Sequence, residues 1–134
     1  MNKIKLIKEL ESNFDSFSVH PELVTDLISL LSRSGTEKSF LSKLKYALNF
    51  LKRFGVTAHM QPTDQFEKLL EASNLFSMHI EGKTFNIRIL YSFADDGTIL
   101  LHGFYERAGK QKTDYSTAIP IAQRRLAEME NENE

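Results

Sequence analysis

The sequence predicts an α+β domain in which an N-terminal helical hairpin packs on a small antiparallel sheet and a helix closes the chain. Three observations predict this class: apolar residues recur at helical spacing in the first half, the period changes to two from Leu75, and a helical stripe returns near the C-terminus. Helices first, strands next and a helix last is an α+β order. With 134 residues, the chain has the length of one domain, so we expect a single domain over residues 1–134.

The first two predicted elements are a short segment of ambiguous structure and a helix that begins at Pro21. Residues 3–9 fit a short edge strand, since Ile4 and Leu6 alternate, or a helical turn, and we favour the strand. Pro21 suits the first position of a helix. The apolar stripe of that helix consists of Leu23, Val24, Leu27, Ile28 and Leu31.

A second helix completes the predicted hairpin. Ser34 and Glu37 have the spacing of a capping box, and Gly55 marks the C-terminal end. The stripe of this helix consists of Phe40, Leu41, Leu44, Ala47, Leu48 and Leu51. A proline and mixed polar residues make residues 56–74 a connecting segment, with a short helix expected over residues 66–70.

An antiparallel meander is predicted next, with strands over residues 76–80, 85–93 and 99–105. Tight turns are expected at Glu81-Gly82 and at residues 95–97, where acidic residues precede a glycine. A last helix is predicted over residues 117–129.

The hydrophobic pattern suggests a register for the last two strands. We pair Ala94 with Thr98, because this choice produces one continuous apolar face for the helices to cover. That face contains Ile87, Ile89, Tyr91, Phe93, Ile99, Leu101 and Tyr105. The opposite face brings together Arg88 and His102, and the preceding hairpin adds His79 to it.

Charge is unevenly distributed along the chain. The net charge is −1, but residues 128–134 hold four of the 18 acidic residues in what we expect to be a frayed tail. Without those four glutamates, 17 basic and 14 acidic residues give residues 1–127 a net charge of +3. A mildly basic body is compatible with a nucleic-acid partner.

Composition excludes some chemistry. Without cysteine, the chain has neither disulfides nor a cysteine-based zinc site, and its four histidines are too far apart for a local metal motif. No apolar run is long enough to span a bilayer, and the first residues do not resemble a signal core. We therefore expect a cytoplasmic protein with no metal, no cofactor and no membrane contact.

Three motifs carry a resemblance to a known family. Arg88-Ile-Leu-Tyr91, Ile99-Leu-Leu-His-Gly-Phe104 and Ile119-x-x-Ala122-x-x-Arg125-Leu126 resemble the HigB-like, phage-derived branch of the RelE/ParE toxin superfamily. The resemblance extends over residues 75–127. It implies a RelE-like fold, ribosome-dependent cleavage of mRNA without a metal, and neutralisation by an antitoxin that often carries a helix-turn-helix. Operator DNA would then be contacted only through the antitoxin.

The resemblance also suggests site residues. Imidazole titrates near neutrality, so His102 suits a general base or acid, and Arg88 can hold phosphate oxygens in bidentate fashion. The candidate catalytic residues are Arg88, His102 and Arg107, and the candidate RNA-binding residues are Lys110, Lys112 and His79. The sequence departs from the family after Phe104, where the two family lysines are replaced by Glu106 and Arg107.

Other interpretations of these residues remain open at this point. A strand histidine such as His102 is commonly structural, and Arg88 could pair with Asp95 or Asp114 at the sheet surface. A protein of this fold could also block a protein target such as a topoisomerase. Alternatively, it could be inert as a nuclease and act with its antitoxin in operon regulation.

Overall fold

The computed structural model describes residues 1–31, 35–106 and 113–132, and it confirms the α+β class. In chain order, the elements are α1 (Lys3–Asn13), β1 (Ser18–Val19), α2 (Pro21–Leu31), α3 (Glu37–Phe54), a 3-10 helix (Gly55–Met60), β2 (Phe66–Lys68), β3 (Phe76–Glu81), β4 (Asn86–Ala94), β5 (Gly97–Tyr105) and α4 (Ala118–Glu132). The strands form one five-stranded sheet in the order β1-β5-β4-β3-β2. β1 pairs parallel to β5 and the other pairs are antiparallel, so the sheet is mixed rather than purely antiparallel.

The prediction of a strand over residues 3–9 was wrong, because this segment lies within α1. Leu6 and Leu10 are one helical turn apart and both are buried, whereas Ile4 is 69% exposed. The Asn2 side chain caps the helix by accepting a hydrogen bond of 2.8 Å from the Lys5 backbone N–H. Helical spacing of the buried leucines therefore outweighs the short alternation in the sequence.

The two predicted helices are confirmed as α2 and α3, but they do not form a closely packed hairpin, because α1 packs against both of them. Leu23, Leu27 and Leu31 form the buried stripe of α2, and the predicted stripe of α3 is buried as well. α3 ends at Phe54, before Gly55, which has a φ of +53° that suits glycine. Ser34, the predicted cap of α3, lies outside the described residues.

The connecting segment contains a strand instead of the predicted helix over residues 66–70. β2 pairs antiparallel with β3, and Phe66 lies opposite Met78. The Phe66 ring also stacks on the Phe50 ring of α3, with centroids 5.1 Å apart. This packing against α3 anchors β2, whose three residues are too few to show a period in the sequence.

The three strands β3, β4 and β5 form the predicted meander, but the predicted register holds only in part. Leu90 lies opposite His102 as predicted, whereas Ala94 lies opposite Gly97 rather than Thr98. An irregularity between Leu90 and Tyr91 shifts the register by one residue. The turn is therefore one residue tighter than predicted, and Gly97 adopts a φ of +126° there.

The sheet is buried on both faces, which corrects the prediction of a single apolar face. One cluster contains Ile87, Ile89 and Tyr91 and packs against α1, α2 and α3. The second cluster lies on the other face, where α4 packs. Its buried members are Leu69, Ala72, Leu75, Leu90, Ile99, Leu101, Tyr115, Ala118 and Ala122. Ile99 and Leu101 thus lie on the face opposite to the predicted one, as the register shift requires.

The C-terminal helix is confirmed and is longer than predicted. α4 continues to Glu132, through residues that we assigned to the frayed tail. Glu128 lies within this helix, with its Oε1 3.5 Å from His20 Nε2 and 3.9 Å from Arg124 Nε. Among the described helices, none is long and apolar enough to cross a bilayer.

Candidate active site

A polar cluster centred on Glu106 lies at the end of the sheet where β3 and β5 end and β4 begins. His79 of β3 lies directly opposite Arg88 of β4, so both side chains lie on one face of the sheet. Glu106 follows β5, and its backbone N–H donates to Asn86 O at 2.8 Å. This bond continues the ladder past Tyr105 and holds the Glu106 side chain beside the other two.

Glu106 contacts both of the other side chains. Arg88 Nε–H donates to Glu106 Oε2 at 2.8 Å, and His79 Nε2 lies 3.3 Å from the same oxygen. Thr113 Oγ1 donates to Glu106 Oε1, so both carboxylate oxygens have partners. All three members of the cluster are partly buried, which strengthens their mutual electrostatic interaction.

The protonation state of Glu106 follows from these contacts. Burial by itself raises the pKa of this carboxyl, but the hydrogen bonds from Thr113 and Arg88 and the charges of Arg88 and His79 outweigh it. The net effect holds the pKa of Glu106 below its usual value. Glu106 is therefore a carboxylate near neutral pH and can orient an imidazole.

His79 has additional acceptors around the same nitrogen. Its Nε2 contacts Asn86 Oδ1 and lies 3.5 Å from Glu81 Oε2. An imidazole that carries its proton on Nε2 donates that one hydrogen to one of the surrounding oxygens and keeps the lone pair on Nδ1. This tautomer is the one that a general base needs.

His102 lies in a different cluster, between α2, β5 and α4. Asp26 Oδ2 is 2.9 Å from His102 Nδ1, 3.1 Å from the Gly103 backbone nitrogen and 2.6 Å from Arg125 Nη1. Arg125 Nη1 also donates to Leu101 O at 3.0 Å. His102 is 8% exposed and Arg125 is 6% exposed, so this is a buried charge cluster.

Asp26 supplies the negative charge of the buried cluster. Burial raises the pKa of this carboxyl, but the hydrogen bonds from His102, Arg125 and the Gly103 N–H, together with the His102 charge, outweigh it. The pKa of Asp26 is therefore held below its usual value, and the carboxylate stays ionised beside Arg125. Near Arg125 Nε, Glu22 contributes a second carboxylate, with its Oε2 at 3.5 Å.

Two of the predicted catalytic residues share a face without touching. Arg88 lies opposite Phe104, whose ring stacks on His102 with centroids 6.0 Å apart. The Phe104 ring also meets the edge of Tyr115, and Arg88 Cζ lies 6.0 Å from the Tyr115 centroid. The rings of Phe104 and Tyr115 therefore lie between Arg88 and His102, and they separate the Glu106 cluster from the Asp26 cluster.

The structure joins Arg88 to His79, which we predicted to bind RNA, and to Glu106, which we noted as a departure from the family. Arg88 pairs with the Glu106 carboxylate. The other predicted residues, Arg107, Lys110 and Lys112, lie outside the described residues.

Three acidic or basic residues of these clusters were not predicted as site residues: Asp26, Glu106 and Arg125. Arg125 belongs to the third motif of the resemblance, which was a usable signal. Asp26 directly precedes the apolar Leu27 on α2, and nothing in its local pattern indicates a partner on β5 or α4.

Within residues 1–31, 35–106 and 113–132, no group of histidine, aspartate and glutamate side chains could hold a metal ion. Comparison with protein-family models, curated proteins and solved structures gave no match.

Proposed function

We propose that this protein is the toxin of a type II toxin-antitoxin system and cleaves mRNA on the ribosome without a metal. The contact between the His79 imidazole, the Glu106 carboxylate and the Arg88 guanidinium carries this proposal. At this end of the sheet, the imidazole can act as a general base, the carboxylate can orient the imidazole, and the guanidinium can bind phosphate. The motif resemblance supports the choice of RNA as the substrate.

The proposed reaction uses the ribose 2′-hydroxyl as the nucleophile. Glu106 orients His79, whose Nδ1 accepts the 2′-hydroxyl proton. The 2′-oxygen then attacks phosphorus, and the bond from phosphorus to the 5′-oxygen breaks. The leaving oxygen takes a proton from water, and His79 returns its own proton to the resulting hydroxide. Products are a 2′,3′-cyclic phosphate and a 5′-hydroxyl.

Arg88 is assigned to the phosphate. Its pair with Glu106 uses the Nε–H, and the terminal NH₂ groups are suited to bind phosphate oxygens as negative charge develops. Arg107, Lys110 and Lys112 follow Glu106 directly in the chain, and we assign them to the RNA backbone.

This proposal gives His102 a positioning role instead of the catalytic one suggested by its motif. Its Nδ1 is bound to Asp26, and its ring packs on Phe104. We propose that His102 holds β5 against α2 and α4, so that β5 delivers Glu106 to the site.

The proposed partners follow from the same function. A cognate antitoxin, of helix-turn-helix type according to the resemblance, would neutralise the toxin and would be its route to operator DNA. The ribosome would orient the mRNA, which raises the effective concentration of the substrate at the site. The protein would therefore act in the cytoplasm.

The test is cleavage of mRNA in programmed ribosomes by the purified full-length chain, with mapping of the new 5′ ends. We expect cuts in the ribosomal A site and nearly intact naked RNA. His79→Ala and Glu106→Gln should slow cleavage by roughly a hundredfold or more, the scale of losing a general base or its orienting group. Glu9→Gln, an exposed carboxylate on α1, is the matched control and should cleave like the parent.

A second candidate function is binding without cleavage. It is favoured by the ion pairs that already engage Arg88 and His102. If His79→Ala and Glu106→Gln fold normally and remain as toxic as the parent, the target is a protein such as a topoisomerase. If strong expression of the parent chain leaves growth normal, the role in operon regulation with an antitoxin is favoured instead.

A further inference from the structure

A cavity of about 300 Å³ lies beside the Glu106 cluster. Arg88 and Thr113 line it, and both of these residues also bind Glu106. The opposite wall comes from β2 and the segment after it, through Glu67 and Leu70. The cavity therefore opens directly beside the proposed reaction centre, and its volume is at the small end of ligand pockets.

A fixed carboxylate forms one wall of this cavity. Tyr115 Oη–H donates to Glu67 Oε1 at 2.6 Å, and Tyr115 itself is buried against Phe104. Burial, followed by the Glu67 hydrogen bond, raises the pKa of Tyr115, so the phenol stays a neutral donor. A carboxylate accepts several hydrogen bonds at once, so Glu67 keeps acceptor capacity for a ligand.

The remaining walls suit a flat ring. A guanidinium plane such as that of Arg88 stacks on nucleobases in RNA complexes. Leu70 borders the cavity and is 94% exposed, while its neighbour Leu69 is buried. A planar ligand would cover the apolar surface of Leu70 and leave the Glu67 carboxylate at the ring edge.

We propose that this cavity binds a guanine base of single-stranded RNA next to the scissile phosphate, with Glu67 as the group that selects guanine. Guanine presents two adjacent N–H donors on its Watson–Crick edge, which match the acceptor atoms of a carboxylate. Adenine, uracil and cytosine do not present this pair. The inference rests on the proposed function for its RNA substrate, and it adds a base preference that the reaction chemistry does not require.

The binding test uses the full-length chain and short oligoribonucleotides that contain one guanine or one adenine among uridines. The 2′-O-methyl form of these oligonucleotides prevents cleavage. NMR titration should show tighter binding of the guanine oligonucleotide by about tenfold, the scale of hydrogen bonds to a charged group, with shifts at Leu70 and Glu67. Guanosine monophosphate should bind more weakly than this oligonucleotide, whereas tighter binding of the free nucleotide would overturn the assignment to RNA.

Two variants test whether Glu67 and Leu70 contact the base. Glu67→Gln should abolish the preference for guanine, while Glu9→Gln should retain it. Leu70→Ala removes an exposed side chain that cannot support folding, and it should weaken guanine binding several-fold, whereas Val56→Ala, an exposed apolar control, should not. Equal binding of the guanine and adenine oligonucleotides by the parent would overturn the proposal.

Cleavage mapping separates this inference from the proposed function. Cleavage on the ribosome without enrichment of guanine beside the cut would refute the guanine site and leave the nuclease intact. Selective guanine binding, lost in Glu67→Gln, without ribosome-dependent cleavage would refute the nuclease and leave the site intact. Enrichment in the parent that disappears in Glu67→Gln would support both.

Discussion

Asp26 Oδ2 lies 2.6 Å from Arg125 Nη1, although the two residues are 99 positions apart in the chain. This contact joins α2 to α4 around β5. Arg125 is 6% exposed, and the Asp26 and Glu22 carboxylates and the Leu101 carbonyl compensate its charge. The pair therefore links the two sides of the sheet by a buried charge rather than by apolar packing alone.

Removing the carboxylate of this pair should destabilise the fold. Asp26→Ala leaves the buried Arg125 guanidinium with only the exposed Glu22 carboxylate as a charged partner, and we expect the free energy of unfolding to fall by about 3 kcal/mol. Urea denaturation measures the change. Arg124→Ala is the control, since its side chain is 65% exposed, and it should change stability by less than about 0.5 kcal/mol. Equal urea midpoints for Asp26→Ala and the parent would contradict a structural role for the pair.

The two strand histidines should respond differently to substitution. His102→Ala removes a buried hydrogen bond to Asp26 and should lower the free energy of unfolding by about 2 kcal/mol. His79→Ala should leave the thermal midpoint nearly unchanged and slow cleavage by roughly a hundredfold or more. Thermal denaturation and the ribosome assay, run on both variants, provide the contrast. A stable, inactive His102→Ala protein would return the catalytic role to His102.

Acid should destabilise the protein through Asp26 and Glu106. Both carboxyls have a pKa below their ordinary values of 3.8 and 4.5. A lowered folded-state pKa contributes stability above the ordinary value, and this stability is lost as the pH falls through the lowered pKa. The free energy of unfolding should therefore decrease as the pH falls below about 5, where the unfolded chain binds more protons. Asp26→Asn should show a shallower decrease, and parallel curves would contradict this assignment.

Gly82 should not tolerate a side chain. A Cβ at this position would lie 2.4 Å from Phe85 Cε1, and Phe85 is buried against Phe40 with ring centroids 5.7 Å apart. Gly82→Ala forces that ring to move and should lower the free energy of unfolding by about 1–3 kcal/mol. Chemical denaturation should show this loss for Gly82→Ala but not for Lys83→Ala, the exposed neighbour. Tolerance of Gly82→Ala would mean that the ring repacks freely.

Sequence periodicity predicted the elements that bury one stripe, such as α2 and α3. It failed for β1 and β2, because strands of two and three residues have no measurable period. It also failed for the second apolar cluster, because strands buried on both faces read as continuous apolar runs, as Ile99-Leu100-Leu101 does. The single-residue shift at Leu90 left no trace in the pattern.

The site was predictable where strand pairing determined it. Arg88 and His102 share a face as predicted, because the register from Ile87 to Leu90 was right. Glu106 and Asp26 were not predicted as partners, because their contacts to Arg88 and Arg125 join residues 18 and 99 positions apart. Local spacing carries no information about such contacts.

Burial of the sheet on both faces has a consequence for sequence variation. Ile89, Leu90 and Tyr91 are consecutive and fully buried, so the middle of β4 offers no position where a charge could be accepted. The charged side chains lie instead near the strand ends, where His79, Arg88 and Glu106 are. A substitution at these ends leaves the hydrophobic interior unchanged, so the chemistry at this end of the sheet can change without loss of the fold.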